Sequence, residues 1–321
     1  MNDTRNWMRS AACALMVVGS LAAHGQQPFP SKTIRIVSSQ AGGINDFTAR
    51  LVAEELERSM GVSVVVDNRG GGVVAGSIVA KAPPDGHTLL HYGTTFWLLP
   101  LMRAHVPYDP IRDFVPIAAS VSSINVLVVH PSLPVRSVKE LIAFAKTRPG
   151  QIDYSSAAEG TSNHLAAELF KARAGVDFRR IPFRGSASAL TAVVTGEVQV
   201  CFPTYATAVP YMKSGRARIL AVTTPKPTLI APGLPTVAST VPGYHSSGKF
   251  GFFAPAGTPA AIIGRLNREI VAALNKPAVR ERLKRVGSEV DASTPEEFAA
   301  SIQSDIQTIG KIIKQMGLGN R

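Results

Sequence analysis

From residue 34 onward the chain alternates short β-branched runs with longer stretches whose apolar positions recur at helical spacing. Such alternation predicts parallel strands covered by helices. The first unit reads as a strand at Ile34–Val37, a helix at Asp46–Met60 and a strand at Ser63–Asp67. A Gly-rich loop, a helix at Ser77–Ala82 and a strand at His87–Tyr92 complete it. A second block opens near Val126–Val129. There Ser137 stands in N-cap position before a helix at Val138–Thr147, which Pro149 and Gly150 stop. Strand Ile152–Ser155, helix Ser162–Ala174, strand Phe178–Pro182, helix Ala187–Thr195 and strand Val198–Phe202 follow. After an apolar strand at Phe250–Pro255 come helices at Pro259–Leu274 and Pro277–Val286. The last helix, Pro295–Lys314, starts with Thr294 and Glu297 in capping-box spacing. The fold class expected is α/β, with no internal repeat in the sequence.

The first 25 residues follow a different pattern. Arg5 and Arg9 precede an apolar stretch from Ala11 to Ala23, and Ala23 and Gly25 are small residues placed for cleavage before Gln26. This is the layout of a secretory signal peptide, too short for a span of about 20 residues; the alternative is an uncleaved anchor. Export would leave Cys201 as the one cysteine, so packing rather than a disulfide must hold the fold. The formal charge is +12, but the basic residues are dispersed and lack interleaved aromatics. Nucleic acid is therefore not an expected partner, and steering of small anions fits better.

In open α/β sheets ligands gather at the carboxyl ends of strands. Five loops qualify. The first, after Val37, carries Ala41, Gly42, Gly43, Ile44, Asn45 and Asp46 into a helix. Helix-start amides lack internal partners and sit at the positive end of the helix dipole, which suits an anion. An ordinary turn capped by Asn45 or Asp46 would look the same. The loop after Ser155 repeats the design with Glu159, Gly160, Thr161, Ser162, Asn163 and His164, although Glu159 would repel an anion or pair with a cationic group of the ligand. The loop after Pro182 offers Arg184 and Gly185, with Arg184 either a charged fork for a carboxylate or a solvated side chain. Gly93 and Thr94 follow Tyr92, and Pro203 and Thr204 follow Phe202.

Other motifs carry little. Gly70–Ala75 matches GxGxxA, but Asn68 and Arg69 separate the strand from its first matched glycine and no acidic residue stands about twenty positions on. His87 and His91 are four apart, and in a strand that spacing holds them roughly 13 Å apart, too far for one metal. No nucleophile elbow, zinc-protease motif or P-loop occurs. The sequence implies neither cofactor nor metal and gives catalysis no motif.

Taken together, Phe29–Val37, Ala41–Gly43 with Asp46, Asp67–Arg69, Ala82–Gly86, Pro107–Pro110 and Asn125–Val129 form an ordered series. Pro149–Tyr154, Gly160–Leu165, Gly185 with Ser186, Leu220–Thr223, Leu234–Val237 and Phe250–Pro259 continue it. The series resembles the solute-binding receptors of the tripartite tricarboxylate transporter group, the Bug-type proteins. The resemblance implies a type II periplasmic binding protein fold, two α/β domains with a hinged ligand cleft. It places domain 1 at residues 28–125 and 251–321 and domain 2 at 126–250. It also implies a monomeric periplasmic receptor that holds a small organic carboxylate through the loops Ala41–Asp46 and Glu159–His164. Delivery would be to a two-component membrane permease; sensing for a signalling partner, or a secreted enzyme, are the rival readings. The chain departs from the group at Ser38–Gln40, at Asn45, at Pro203 with Thr204, and at Lys249, where an aromatic is common. Lys249 is thus expected to project into the cleft, meeting a ligand carboxylate, Glu159 or water, and to favour a more anionic ligand.

Overall fold

The computed structural model describes residues 29–39, 41–69, 72–157, 161–183, 185–228 and 230–315. The expected leader and the candidates Glu159, Gly160 and Arg184 lie outside the described residues. Strands β1 (Ile34–Ser38), β2 (Val64–Asn68), β3 (Thr88–Gly93), β4 (Phe114–Ile124) and β5 (Val126–Val129) come first. Strands β6 (Ile152–Ser156), β7 (Phe178–Pro182), β8 (Val200–Cys201), β9 (Arg218–Val222), β10 (Ser247–Pro255) and β11 (Ser288–Val290) follow. They form two sheets, one ordered β11-β4-β10-β3-β1-β2 and the other β7-β6-β8-β5-β9.

Both sheets share one plan. In each, the second parallel strand, the first and the third lie side by side, and the next strand runs antiparallel to the third. That antiparallel strand arrives from the other sheet: β4 leads into β5, and β9 leads on to β10. Each sheet therefore organises one lobe, and the chain crosses between them at Asn125 and again over residues 223–246. The crossings are tied together. Thr223 donates its amide (3.0 Å) and its hydroxyl (2.9 Å) to the Asn125 carbonyl, and the Ser246 amide donates to the Thr223 carbonyl at 2.9 Å.

Helices α1 (Ile44–Met60), α2 (Gly72–Ala80), α3 (Thr95–Met102), α4 (Val138–Lys146) and α5 (Ser162–Ala174) come next in the chain with α6 (Ser186–Val194). α7 (Tyr205–Lys213), α8 (Ala260–Asn275), α9 (Pro277–Arg285) and α10 (Pro295–Gln315) complete the set. Strand side chains alternate faces, so Ile34 and Ile36 pack with Val52 and Leu56 of α1 and with Leu266 and Ile270 of α8. Val37 and Leu90 turn the other way, toward Val79 of α2, Trp97 of α3 and Phe298 of α10. Burial on both faces explains why β1 and β3 carry apolar residues in both orientations. In the second sheet Tyr154 and Leu127 face Leu141 of α4 and Phe170 of α5. Val126, Val128 and Cys201 face Val193 of α6 and Ala208 of α7. Cys201 is almost wholly buried, which pushes its thiol pKa up.

The local capping logic holds at two starts. Ser137 Oγ accepts from the Glu140 amide at 3.2 Å, and Thr294 and Glu297 exchange backbone-to-side-chain bonds of 3.0 and 3.2 Å. Elsewhere the expectation needs correction. The glycine run is not a loop reaching Ala75, because α2 already starts at Gly72. β4, α3, α7, β9 and β11 fall where the pattern predicted no element. No helix among the described residues is long and apolar enough to cross a membrane.

Candidate functional site

The first loop is a braced structure. Gly42 has φ 84°, the left-handed region that glycine enters without steric cost, and Gly43 takes the N-cap position with φ −89° and ψ 173°. Neither Asn45 nor Asp46 caps the helix, contrary to the simple turn reading. Asp46 instead reaches back and accepts from the Gly42 amide at 3.0 Å. Its other oxygen accepts from Arg50 Nε at 2.8 Å and Asn68 Nδ2 at 2.9 Å. Burial alone would lift the Asp46 carboxyl, but the Gly42 amide, Asn68 and Arg50 outweigh it and hold the pKa below its ordinary value. Asn68 also donates to the Ser39 carbonyl at 2.8 Å, which fastens the loop to the end of β2. Asp46 is thus occupied as a brace, while Ala41, Gly42 and Gly43 remain exposed.

His91 supports the same loop from within the lobe. Its Nδ1 lies 3.0 Å from the Asn45 carbonyl, and its Nε2 lies 2.9 Å from Ser120 Oγ. A carbonyl only accepts, so Nδ1 carries the proton and the Ser120 hydroxyl donates to Nε2. Burial pushes the His91 pKa down to about 3, so the ring is neutral and structural. Half-buried Ile44 and Asn45 are thereby fixed above the sheet.

In the other lobe Thr161 is the N-cap of α5, with φ −68° and ψ 157°. Its hydroxyl donates to Asn163 Oδ1, which also accepts from the His164 amide at 2.8 Å. Asn163 Nδ2 reaches Ser186 Oγ at 3.3 Å, joining the start of α5 to the start of α6, whose N-cap is Gly185. His164 is buried; burial first, then the charges of Arg180 and Lys171, push its pKa down to about 3. Arg180 is a bracing position that the sequence reading missed. It donates to Ser156 Oγ at 2.8 Å and to the Ala157 carbonyl at 2.9 Å, so it braces the loop from β7 much as Asp46 braces the first. Only its neighbouring position on a parallel strand reveals this role.

Five other candidates have backbone duties. Gly93 has no room for a side chain, because a Cβ would stand 2.6 Å from the Phe250 ring. Thr94 and Lys249 exchange bonds: the Thr94 amide donates to the Lys249 carbonyl at 2.9 Å and the Lys249 amide to Thr94 Oγ1 at 3.0 Å. Pro203 accepts from the Val126 amide at 2.9 Å, and Thr204 pairs with Asn125 in an isolated bridge, so both belong to the crossing.

A cavity of about 40 Å³ lies between the lobes. Thr94, Lys249 and Asp305 line it from one lobe, and Ser162 from the other, with Ser247 at the crossing. Leu165 and Leu169 of α5, with Ile309 and Ile313 of α10, form its apolar side. Of the predicted residues, Thr94, Ser162 and Lys249 meet here; the glycine loop, Asn163, His164, Gly185, Pro203 and Thr204 are not in its lining. Lys249 lines this cavity, but its side-chain partners are not the ligand carboxylate, Glu159 or water that were expected. Its ammonium donates to Ser301 Oγ at 2.7 Å and to Asp305 Oδ1 at 3.2 Å, both on α10. Among the described residues no cluster suited to a metal ion occurs.

Two lobes built on one plan, joined by paired crossings, with helix-opening loops at the strand ends and a cavity between them, define a periplasmic binding protein fold. Comparison with known proteins narrows the class. Residues 48–318 match the model of the tripartite tricarboxylate transporter family receptor. A protein from the tcbD-tcbE intergenic region of Pseudomonas sp. strain P51 is 35% identical, over 99% of this chain and 96% of its own. The solved structure of Rhodopseudomonas palustris Rpa4515 with adipate superposes with TM-score 0.81 and 34% identity, over 91% of this chain and 100% of that one. MatC from the same organism, with bound malate, gives TM-score 0.76 and 28% identity, over 89% and 100%. The chain belongs to the tripartite tricarboxylate transporter receptor family.

Proposed function

We propose that this receptor is exported to the periplasm, captures a small organic carboxylate between its lobes and delivers it, unaltered, to a two-component membrane permease. The observation that carries the reading is the pairing of two braced helix starts at the ends of parallel strands, one in each lobe. At the first, the exposed backbone at Gly42 and Gly43 opens the 17-residue helix α1. At the second, Thr161 opens the 13-residue helix α5. Each presents helix-start amides at the positive end of a helix dipole, so a carboxylate held by both would pull the lobes together about the crossings. The lobes divide at the two crossings, Asn125 and residues 223–246, and the working unit is a monomer. The adipate and malate held by its structural relatives support the ligand class.

The test is a thermal-shift screen of the mature chain against mono-, di- and tricarboxylates, aromatic acids and acidic amino acids. A true ligand raises the melting temperature with concentration, by about 2.7 kcal/mol of stabilisation at a hundred times its Kd. Gly43→Val should abolish that shift while leaving the unliganded melting point nearly unchanged, since valine adopts the extended backbone found there. Mass spectrometry of the exported protein should find its N-terminus at or near Gln26. A screen in which no carboxylate binds, or a Gly43→Val variant that binds normally, overturns the reading.

A further inference from the structure

Lys249 is a cation whose charge is already spent. The Lys249 ammonium lies 3.2 Å from an Asp305 carboxylate whose side chain is 9% exposed, and 2.7 Å from the Ser301 hydroxyl. Both charged groups line the inter-lobe cavity, together with His245, and the pair itself adds no net charge to it. Leu165 and Leu169 of α5, with Ile309 and Ile313 of α10, supply the cavity's apolar lining. At about 40 Å³ the cavity has room for two or three waters or one short polar group. A second carboxylate placed there would meet the Asp305 charge at close range in a partly desolvated setting, where like charges repel strongly. A hydroxyl or carboxamide meets no such barrier. It can accept from the remaining ammonium hydrogen and donate to the free lone pairs of Asp305 or to Ser162.

From this geometry we infer that the cavity is the subsite for an uncharged, hydrogen-bonding end of the ligand, and that Asp305 enforces the choice. The inference rests on the carboxylate reading above, with the ligand's single carboxylate held elsewhere, at the helix starts. It makes the ligand class monocarboxylates with a distal amide or hydroxyl, and gives α10 a part in specificity.

Calorimetric titration of the mature receptor with matched pairs tests it: succinamate against succinate, glutaramate against glutarate, adipamate against adipate. For the length that binds, the amide acid should bind at least tenfold more tightly than the diacid. Asp305→Asn frees the lysine charge and should move that ratio at least tenfold toward the diacid. Lys249→Gln leaves Asp305 unpaired and should move it the other way; this variant keeps the test alive where Asp305→Asn does not fold. Preference for the diacid in the wild-type protein, or a ratio unmoved by either substitution, overturns the subsite while leaving the carboxylate receptor intact. Failure of both members of every pair to bind overturns the subsite, and the carboxylate reading falls with it only where the wider screen above also finds no ligand.

Discussion

Asp46 shows how one carboxylate can shape a binding loop without touching a ligand. It holds Gly42, Arg50 and Asn68 at once, and its pKa is depressed in the folded state because those bonds outweigh burial. A depressed carboxylate contributes stability that is complete above the unfolded value of about 3.9 and is lost as pH falls through the lower folded value. Asp46→Asn should therefore cost about 1–3 kcal/mol at pH 7, with the gap from the wild-type protein closing below pH 4. Urea unfolding at a series of pH values measures it, and a gap independent of pH would show that the charge is not what the brace needs. The residue itself stood out in the sequence because a helix start after paired glycines is a local pattern. Its partners did not all do so, since Asn68 comes from another strand. Lys249 and Asp305 make the same point more sharply. They lie 56 positions apart and meet only because α10 crosses the sheet that carries β10.

The elements legible beforehand were those whose own periodicity suffices, such as α4, α8 and α10. β4 escaped because it reads Phe-Val-Pro followed by small and hydroxylated residues, a composition closer to a loop. It is a central strand nonetheless: Ser120 is buried against His91, and Pro116 sits at an irregularity in the ladder with β10. α3 and α7 each contain a proline, which argues against a helix when the neighbours are unknown. Packing between elements has its own sharp constraint at Gly251 of β10. A Cβ there would overlap the Phe298 ring of α10 and approach the Ala118 carbonyl to 2.7 Å. Gly251→Ala should destabilise by about 1–3 kcal/mol through overpacking. Trimming the ring with Phe298→Leu should not restore it, because the carbonyl belongs to the backbone of β4. Urea midpoints of the two single variants and the double variant decide this; full rescue by the trimmed ring would assign the whole effect to α10.

For the molecule as a whole, the shared strand order of the two sheets leaves no residue-level repeat in the sequence, although the second glycine loop echoes the first. Strand order and crossing direction are satisfied equally well by different residues. The lobes also touch away from the cavity. Gly287, at φ 74° just before β11, would place a Cβ 2.8 Å from Ala206 Cβ at the start of α7 in the other lobe. Gly287→Ala should wedge that contact and weaken ligand binding several-fold, although the residue does not line the cavity. Gly257→Ala is the matched control, with φ 84° but only Pro84 of its own lobe nearby at 3.8 Å. Small-angle scattering with and without ligand should show reduced compaction for the first variant and normal compaction for the second. Equal behaviour of the two would locate the effect in backbone strain. Cys201 has a practical consequence for such measurements. A sulfur sealed inside β8 and held as the protonated thiol is slow to react with maleimides. In a chain produced from Gln26 onward, which lacks Cys13, a cysteine introduced on either lobe's surface becomes the sole readily labelled site for a dye. The buried native thiol thus leaves a low background for a fluorescent test of whether the lobes close.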